Sequence, residues 1–173
     1  IVSTKVLTMQ LPDLGEPSYI RTARNKTPVL YRGREDEIEI GKGVLLKDGN
    51  DVAIIACGVL VHEAIAAAEE LSKEGVDAAV VDMHTIKPLD HNLIDKLVEK
   101  CGAIVSAEDH SVIGGLGGAI AEYLSSNMPA PLEMIGVKDR FGESGQADEM
   151  LEIMELKSHH ITQAAKRAIQ RKS

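Results

Sequence analysis

Residues 51–83 read DVAIIACGVLVHEAIAAAEELSKEGVDAAVVDM, and this stretch decides the fold. DVAIIACG is an unbroken apolar run without polar alternation, the pattern of a strand buried on both faces. VHEAIAAAEELSKEG is Ala-rich and helical, and Gly75 stands where a helix ends. DAAVVDM is a second buried run. Strand, helix, strand at this spacing predicts two neighbouring parallel strands joined by a helical crossover.

The same rhythm continues downstream. HTIKPLD is a loop, and DHNLIDKLVEKCG is a helix with Asp90 as its N-cap and a glycine stop. AIVSAED is a third strand, followed by a glycine turn and the helix GAIAEYLSSN. PLEMIGV is a fourth strand, and ADEMLEIM and SHHITQAAKRAIQ are helices, the second capped by Ser158. The alternation predicts an α/β fold: an open, mostly parallel sheet with helices on both faces.

The N-terminal part is less regular. Residues 2–14 place Val2, Val6, Met9 and Leu14 near one helical stripe, which predicts a short helix ending at Pro12. PSYIRTAR (17–24) reads as a strand, and PVLYR and VLLK as short strands. Asp48-Gly49-Asn50 signals a turn. RGREDEIE reads as an exposed linker, so a domain boundary is expected between about 25 and 45. The chain opens Ile1-Val2 without Met, which reads as a processing product or a piece of a longer chain.

Composition excludes several partners. Of 173 residues, 44% are apolar but only 2% aromatic, so the core is aliphatic. The net charge of −8 and the scarcity of stacking side chains argue against nucleic acid. No apolar run reaches the length of a membrane span. Cys57 and Cys101 are far apart, which reads as a reduced, cytoplasmic protein.

The turn SVIGGLGGAIAEYL (111–124) raises the question of a phosphate cradle. A dinucleotide fingerprint needs glycine at the sixth position counted from Gly115, and Ile120 stands there. The turn also follows the third strand of the regular region, not the first. It is therefore expected to be structural: at least one glycine with positive φ or pressed against a strand, and Ala at Gly117 or Gly118 costing stability. Glu108, Asp109 and His110 end a strand and form an acid–base trio, though capping and loop hydrogen bonds are the expected roles. Cys57 is read as a core residue, and Met128, Met134, Met150 and Met154 as core filler. His62, His91, His159 and His160 lie on predicted helices without metal-ligand spacing. The last two are expected to point apart, so no zinc site is expected.

VVDMHTIKPLD, AEDHSVIGGLGGAIAE and GVKDRFGESG, in this order, resemble the C-terminal domain of transketolases. Gly41-Lys-Gly43 ahead of a hairpin fits the same template. The resemblance runs from about residue 17 to the end. Its wording is most similar to split transketolases, whose pyrimidine-binding and C-terminal domains form one short chain. 1-Deoxyxylulose-5-phosphate synthases and the beta subunits of 2-oxo acid dehydrogenases share much of the domain.

The resemblance implies a three-layer, Rossmann-like domain over 31–173, preceded by the tail of a pyrimidine-binding domain and a linker over 1–30. It implies a part in ketol transfer between sugar phosphates, in the pentose phosphate pathway, within a homodimer or with partner transketolase subunits. Thiamine diphosphate and Mg²⁺ would serve the full enzyme, with none on this chain alone. The Mg²⁺-binding Gly-Asp-Gly motif is absent, and the activating glutamate would lie upstream of Ile1. No catalytic residue is therefore assigned here. One substrate residue is: Arg24 in PSYIRTARNKTP matches the arginine that grips the substrate phosphate, with Arg21 as its rival. His84 matches an interfacial position. A non-catalytic interaction module and a dehydrogenase beta-subunit fragment are the alternatives.

Overall fold

The computed structural model describes residues 2–24 and 26–172. Its centre is a five-stranded sheet of β1 (Val44–Lys47), β2 (Val52–Ala56), β3 (Ala78–Asp82), β4 (Ile104–Ser111) and β5 (Leu132–Val137). The spatial order is β1-β3-β2-β4-β5. β2 lies parallel to both β3 and β4, β4 is parallel to β5, and β1 joins the edge antiparallel to β3.

The apolar run of β2 is explained by what covers it. Val52, Ile54 and Ala56 face a core shared with α2 (Leu60–Lys73) and α6 (Ser158–Gln170). Ala53 and Ile55 face a second core shared with α3 (His91–Cys101) and α4 (Leu116–Asn127). Both sheet faces are thus roofed by helices, giving the expected three-layer α/β architecture. All five β2 residues are fully buried, and a buried Ile contributes about 1.5–3 kcal/mol. Helix limits follow the chemistry. Asp90 caps α3 by accepting the Leu93 amide at 3.1 Å, and α2 and α3 run out at Gly75 and Gly102.

Four local expectations are corrected. VLLK is strand β1, but it makes no hairpin with β2: β3 lies between them, because β2 has parallel partners on both sides. Residues 17–24 and PVLYR are outside the sheet. A strand exists only by laddering with a neighbour, and the β1 edge stops at Val44–Lys47. Ser158 does not cap α6. It is the first helical residue, its Oγ donates to Glu70 at 2.7 Å, and Glu63 accepts its amide at 2.7 Å. Of the methionines, Met154 packs against the core, whereas Met134 is exposed.

The N-terminal helix α1 (Val2–Gln10) continues as a 3-10 turn through Leu14. Leu7 packs with Tyr31, Ile38 and Val44. The Gln10 side chain donates to the Ile38 carbonyl at 2.7 Å and accepts the Ile40 amide at 2.9 Å. Between these anchors the chain from 15 to 30 runs over the surface, almost wholly exposed; Asn25 lies outside the described residues.

Candidate functional site

Parallel strands deliver their following loops to one edge, where α/β sheets place their chemistry. Here that edge receives Cys57 after β2, Asp82–His84 after β3, and Glu108–His110 near the end of β4. The glycine turn belongs to it. Glu108 is 1% exposed, and its carboxylate reaches the start of α4. Oε2 accepts the Leu116 amide at 2.7 Å and Oε1 accepts the Gly117 amide at 2.8 Å. The chain's own carboxylate therefore fills the anion seat that a helix N-terminus offers. A Cβ at Gly115 would overlap that carboxylate, and Gly114 has φ 73°. The positive φ of Gly114 and the close carboxylate at Gly115 are the features expected of a structural turn. Only one half of the expectation about its inner glycines holds. A Cβ on Gly117 would lie 2.7 Å from Ser106 Oγ, whereas at Gly118 the nearest atom is Val112 O at 3.9 Å.

The trio at the end of β4 divides among different partners, with His110 Nδ1 4.0 Å from Glu108 Oε2. Glu108 is committed to α4. Asp109 is exposed, and its carbonyl accepts from the Arg21 guanidinium at 2.8 Å. The His110 ring lies 2.9 Å from the Ser111 carbonyl through Nδ1.

Beside them sits a pair that sequence patterning missed. Tyr31 donates to Asp82 Oδ2 at 2.6 Å, and both residues are buried. Burial pushes the Asp82 carboxyl up to about 6, against the opposing pull of the Tyr31 hydroxyl. Burial and the facing Asp82 carboxylate raise the Tyr31 phenol well above its ordinary range. Asp82 Oδ1 has no hydrogen-bond partner among the described residues. The signal available was an aspartate inside the apolar run AAVVDM. Its partner lies 51 residues upstream in a segment without regular structure, and no periodicity links the two. Burial, with Glu108 and Asp82 nearby, pushes the Cys57 thiol up to about 12. Burial lowers the pKa of His84, and its Nδ1 lies 3.1 Å from Thr85 Oγ1.

Arg24 lies exposed in a bend and makes no hydrogen bond or ion pair among the described residues. Arg21 is the anchored one, through Asp109. A cavity of about 50 Å³ lies nearby between residues 27–31, Gly58 and His62. Ligand pockets for small molecules run to roughly 300–1,000 Å³, well above this volume. The other histidines separate in role. His91 stacks on Tyr123 with ring centroids 4.1 Å apart. His159 and His160 do not point apart: their rings lie 3.9 Å apart, and Glu152 joins them. That contradicts the expectation from helical spacing, because a 100° step per residue separates Cα–Cβ directions and leaves the outer ring torsions free to converge.

Comparison with known proteins sets this geometry in a family. A family model described as "Transketolase, C-terminal domain" matches residues 41–161. The chain is 45% identical over 157 residues to the 6-deoxy-6-sulfo-D-fructose transketolase subunit SqwH of Clostridium sp. (strain MSTE9), covering 91% of this chain and 48% of that protein. It is 43% identical over 160 residues to the putative transketolase C-terminal section of Methanocaldococcus jannaschii, covering 91% and 50%. A solved structure titled as a split gene transketolase, inactive beta4 tetramer, superposes with a TM-score of 0.95 at 38% identity. The match covers 99% of this chain and 56% of that one. The chain thus spans about half the length of the curated relatives named here. It belongs to the transketolase C-terminal domain family.

Proposed function

We propose that this chain is the C-terminal part of a thiamine-diphosphate-dependent transketolase that moves a two-carbon ketol unit between sugar phosphates. Within it, residues 31–173 form the C-terminal domain and 1–30 the tail of a pyrimidine-binding domain. The observation that carries the reading is the segment 17–24. It has the composition of a strand, with Tyr19 and Ile20, yet lies exposed with no ladder partner among the described residues; Tyr19 is 87% exposed. A strand sequence left outside any sheet is explained by a neighbouring sheet that receives it in the assembled enzyme. Arg21, held at the end of β4, fixes where that segment leaves the body.

In this reading Arg24 grips the substrate phosphate. A guanidinium is permanently charged and matches a phosphate with two parallel N–H donors. Ile113 in the turn after β4 and Phe141 in the loop after β5 are exposed apolar side chains at the same sheet edge, and partner domains or a second copy would cover them. Thiamine diphosphate, when bound, supplies the carbanion-stabilising chemistry. Its diphosphate and Mg²⁺ sit on partner elements: this chain has no Gly-Asp-Gly, and its glycine-rich helix start is closed by Glu108. Calorimetry of the chain with Mg²⁺ and cofactor tests the division of labour. No binding heat is expected alone, and cofactor-dependent ketol transfer is expected once the chain is joined to pyrimidine- and diphosphate-binding parts. Micromolar cofactor binding by this chain alone would overturn the placement.

A further inference from the structure

Away from the sheet edge, two helices bring a transition-metal ligand set to one point. Glu152 lies near the end of α5 (Ala147–Ile153), and His159 and His160 are the second and third residues of α6. One ligand atom from each lies within 4.8 Å of the other two. Glu152 Oε1 is 3.2 Å from His159 Nε2. The sharp link between the helices creates this convergence. Leu156 plugs into the core, its amide bonded to the Leu151 carbonyl at 2.8 Å, and so folds α6 back beside Glu152.

We propose that Glu152, His159 and His160 bind a divalent d-block cation, zinc above all, which clips α5 to α6. Two imidazoles and a carboxylate are a zinc-type donor set, whereas Mg²⁺ and Ca²⁺ prefer oxygen alone. Ligand bonds of about 2.0–2.2 Å need the three atoms to close slightly from their present spacing. Glu152 and His159 have half-exposed side chains free to turn. A second observation is independent of the cluster's spacing. His160 Nδ1 is shielded from solvent and has no hydrogen-bond partner among the described residues, whereas a buried ring nitrogen ordinarily finds one.

Charge around the site also favours a cation. The positive end of α6 is offset by Glu63 and Glu70, which accept from the Ser158 amide and hydroxyl. Glu155 lies in the link itself. Lys138, Arg140 and Lys157 are the nearby cations, and each is paired with a carboxylate. Three protein ligands leave the remaining coordination positions to water, an arrangement zinc accepts.

The test titrates the full 173-residue chain with Zn²⁺ by calorimetry and with Co²⁺ by visible absorption. One equivalent of Zn²⁺ is expected, with a raised melting temperature, and no such rise with Mg²⁺. Glu152→Gln should weaken binding roughly tenfold or more, and combined His159→Ala and His160→Ala should abolish it. Should the double variant fold poorly, His159→Ala alone, at a half-exposed position, gives the same reading. Absence of Zn²⁺ binding overturns the site, as does unchanged affinity in any of these variants. A cobalt spectrum with thiolate charge transfer overturns it too, because it would place the metal on Cys57 or Cys101.

Discussion

The carboxylate of Glu108 accepts the backbone amide of Leu116 at 2.7 Å across the glycine turn. With the Gly117 amide on its other oxygen, this side chain satisfies two of the free donors at the start of α4 from inside the sheet. Glu108→Ala would strand both amides in a buried place. A loss of about 2–4 kcal/mol is expected in denaturant unfolding. Glu108→Gln keeps one acceptor oxygen and should lose less. Equal stability of wild type and Glu108→Ala would show that water serves these donors.

The two inner glycines of the turn should answer oppositely to alanine. Gly117 faces Ser106 Oγ and the Met134 sulfur, and a methyl would sit 2.7 and 2.9 Å from them. Gly117→Ala is expected to cost about 1–3 kcal/mol through overpacking. Gly118 lies inside α4, where a methyl would make only an ordinary contact with Val112 O at 3.9 Å, so Gly118→Ala should stabilise by about 0.5–1 kcal/mol through helix propensity. Paired thermal melts decide this, and a stabilised Gly117→Ala protein would contradict the packing.

Asp82 should leave a pH signature. Its carboxyl is raised from 3.8 to about 6 in the folded chain, so the folded state holds the proton more tightly than the unfolded one. That contribution to stability is complete below about 4 and is lost as pH rises through about 6. At most it amounts to about 3 kcal/mol. Asp82→Asn removes it, so the difference in unfolding free energy between wild type and Asp82→Asn should vary between pH 4 and 6 and be flat above 7. A difference constant across that range would place the titration elsewhere.

In the assembled enzyme, Arg24→Ala should raise KM for phosphorylated sugars by about tenfold to a hundredfold, the worth of a charge-assisted contact. Non-phosphorylated sugars should be nearly unaffected. Arg24 is exposed and unpaired among the described residues, so its removal should not lower the melting temperature of this chain. Equal losses for both substrate types would assign it to assembly.

The parallel strands and the helices between them were legible because each is a local pattern. The β2 run is apolar throughout since helices cover both its faces, and Asp90 and Gly102 mark helix ends through bonds made within a few residues. The candidate site was legible only in part. Glu108, expected to cap, does cap α4 across the turn, whereas the Tyr31–Asp82 pair joins partners 51 residues apart that no local pattern links.

Local pattern sufficed for the α/β alternation and the both-faces burial of β2, because hydrophobic period is a property of neighbouring residues. Only the tertiary structure decided that β3 comes between β1 and β2, that Tyr31 reaches Asp82, and that Glu152 meets His159 and His160. Strand order and side-chain meeting points are set by which surfaces pack, and packing brings together residues whose separation along the chain carries no period.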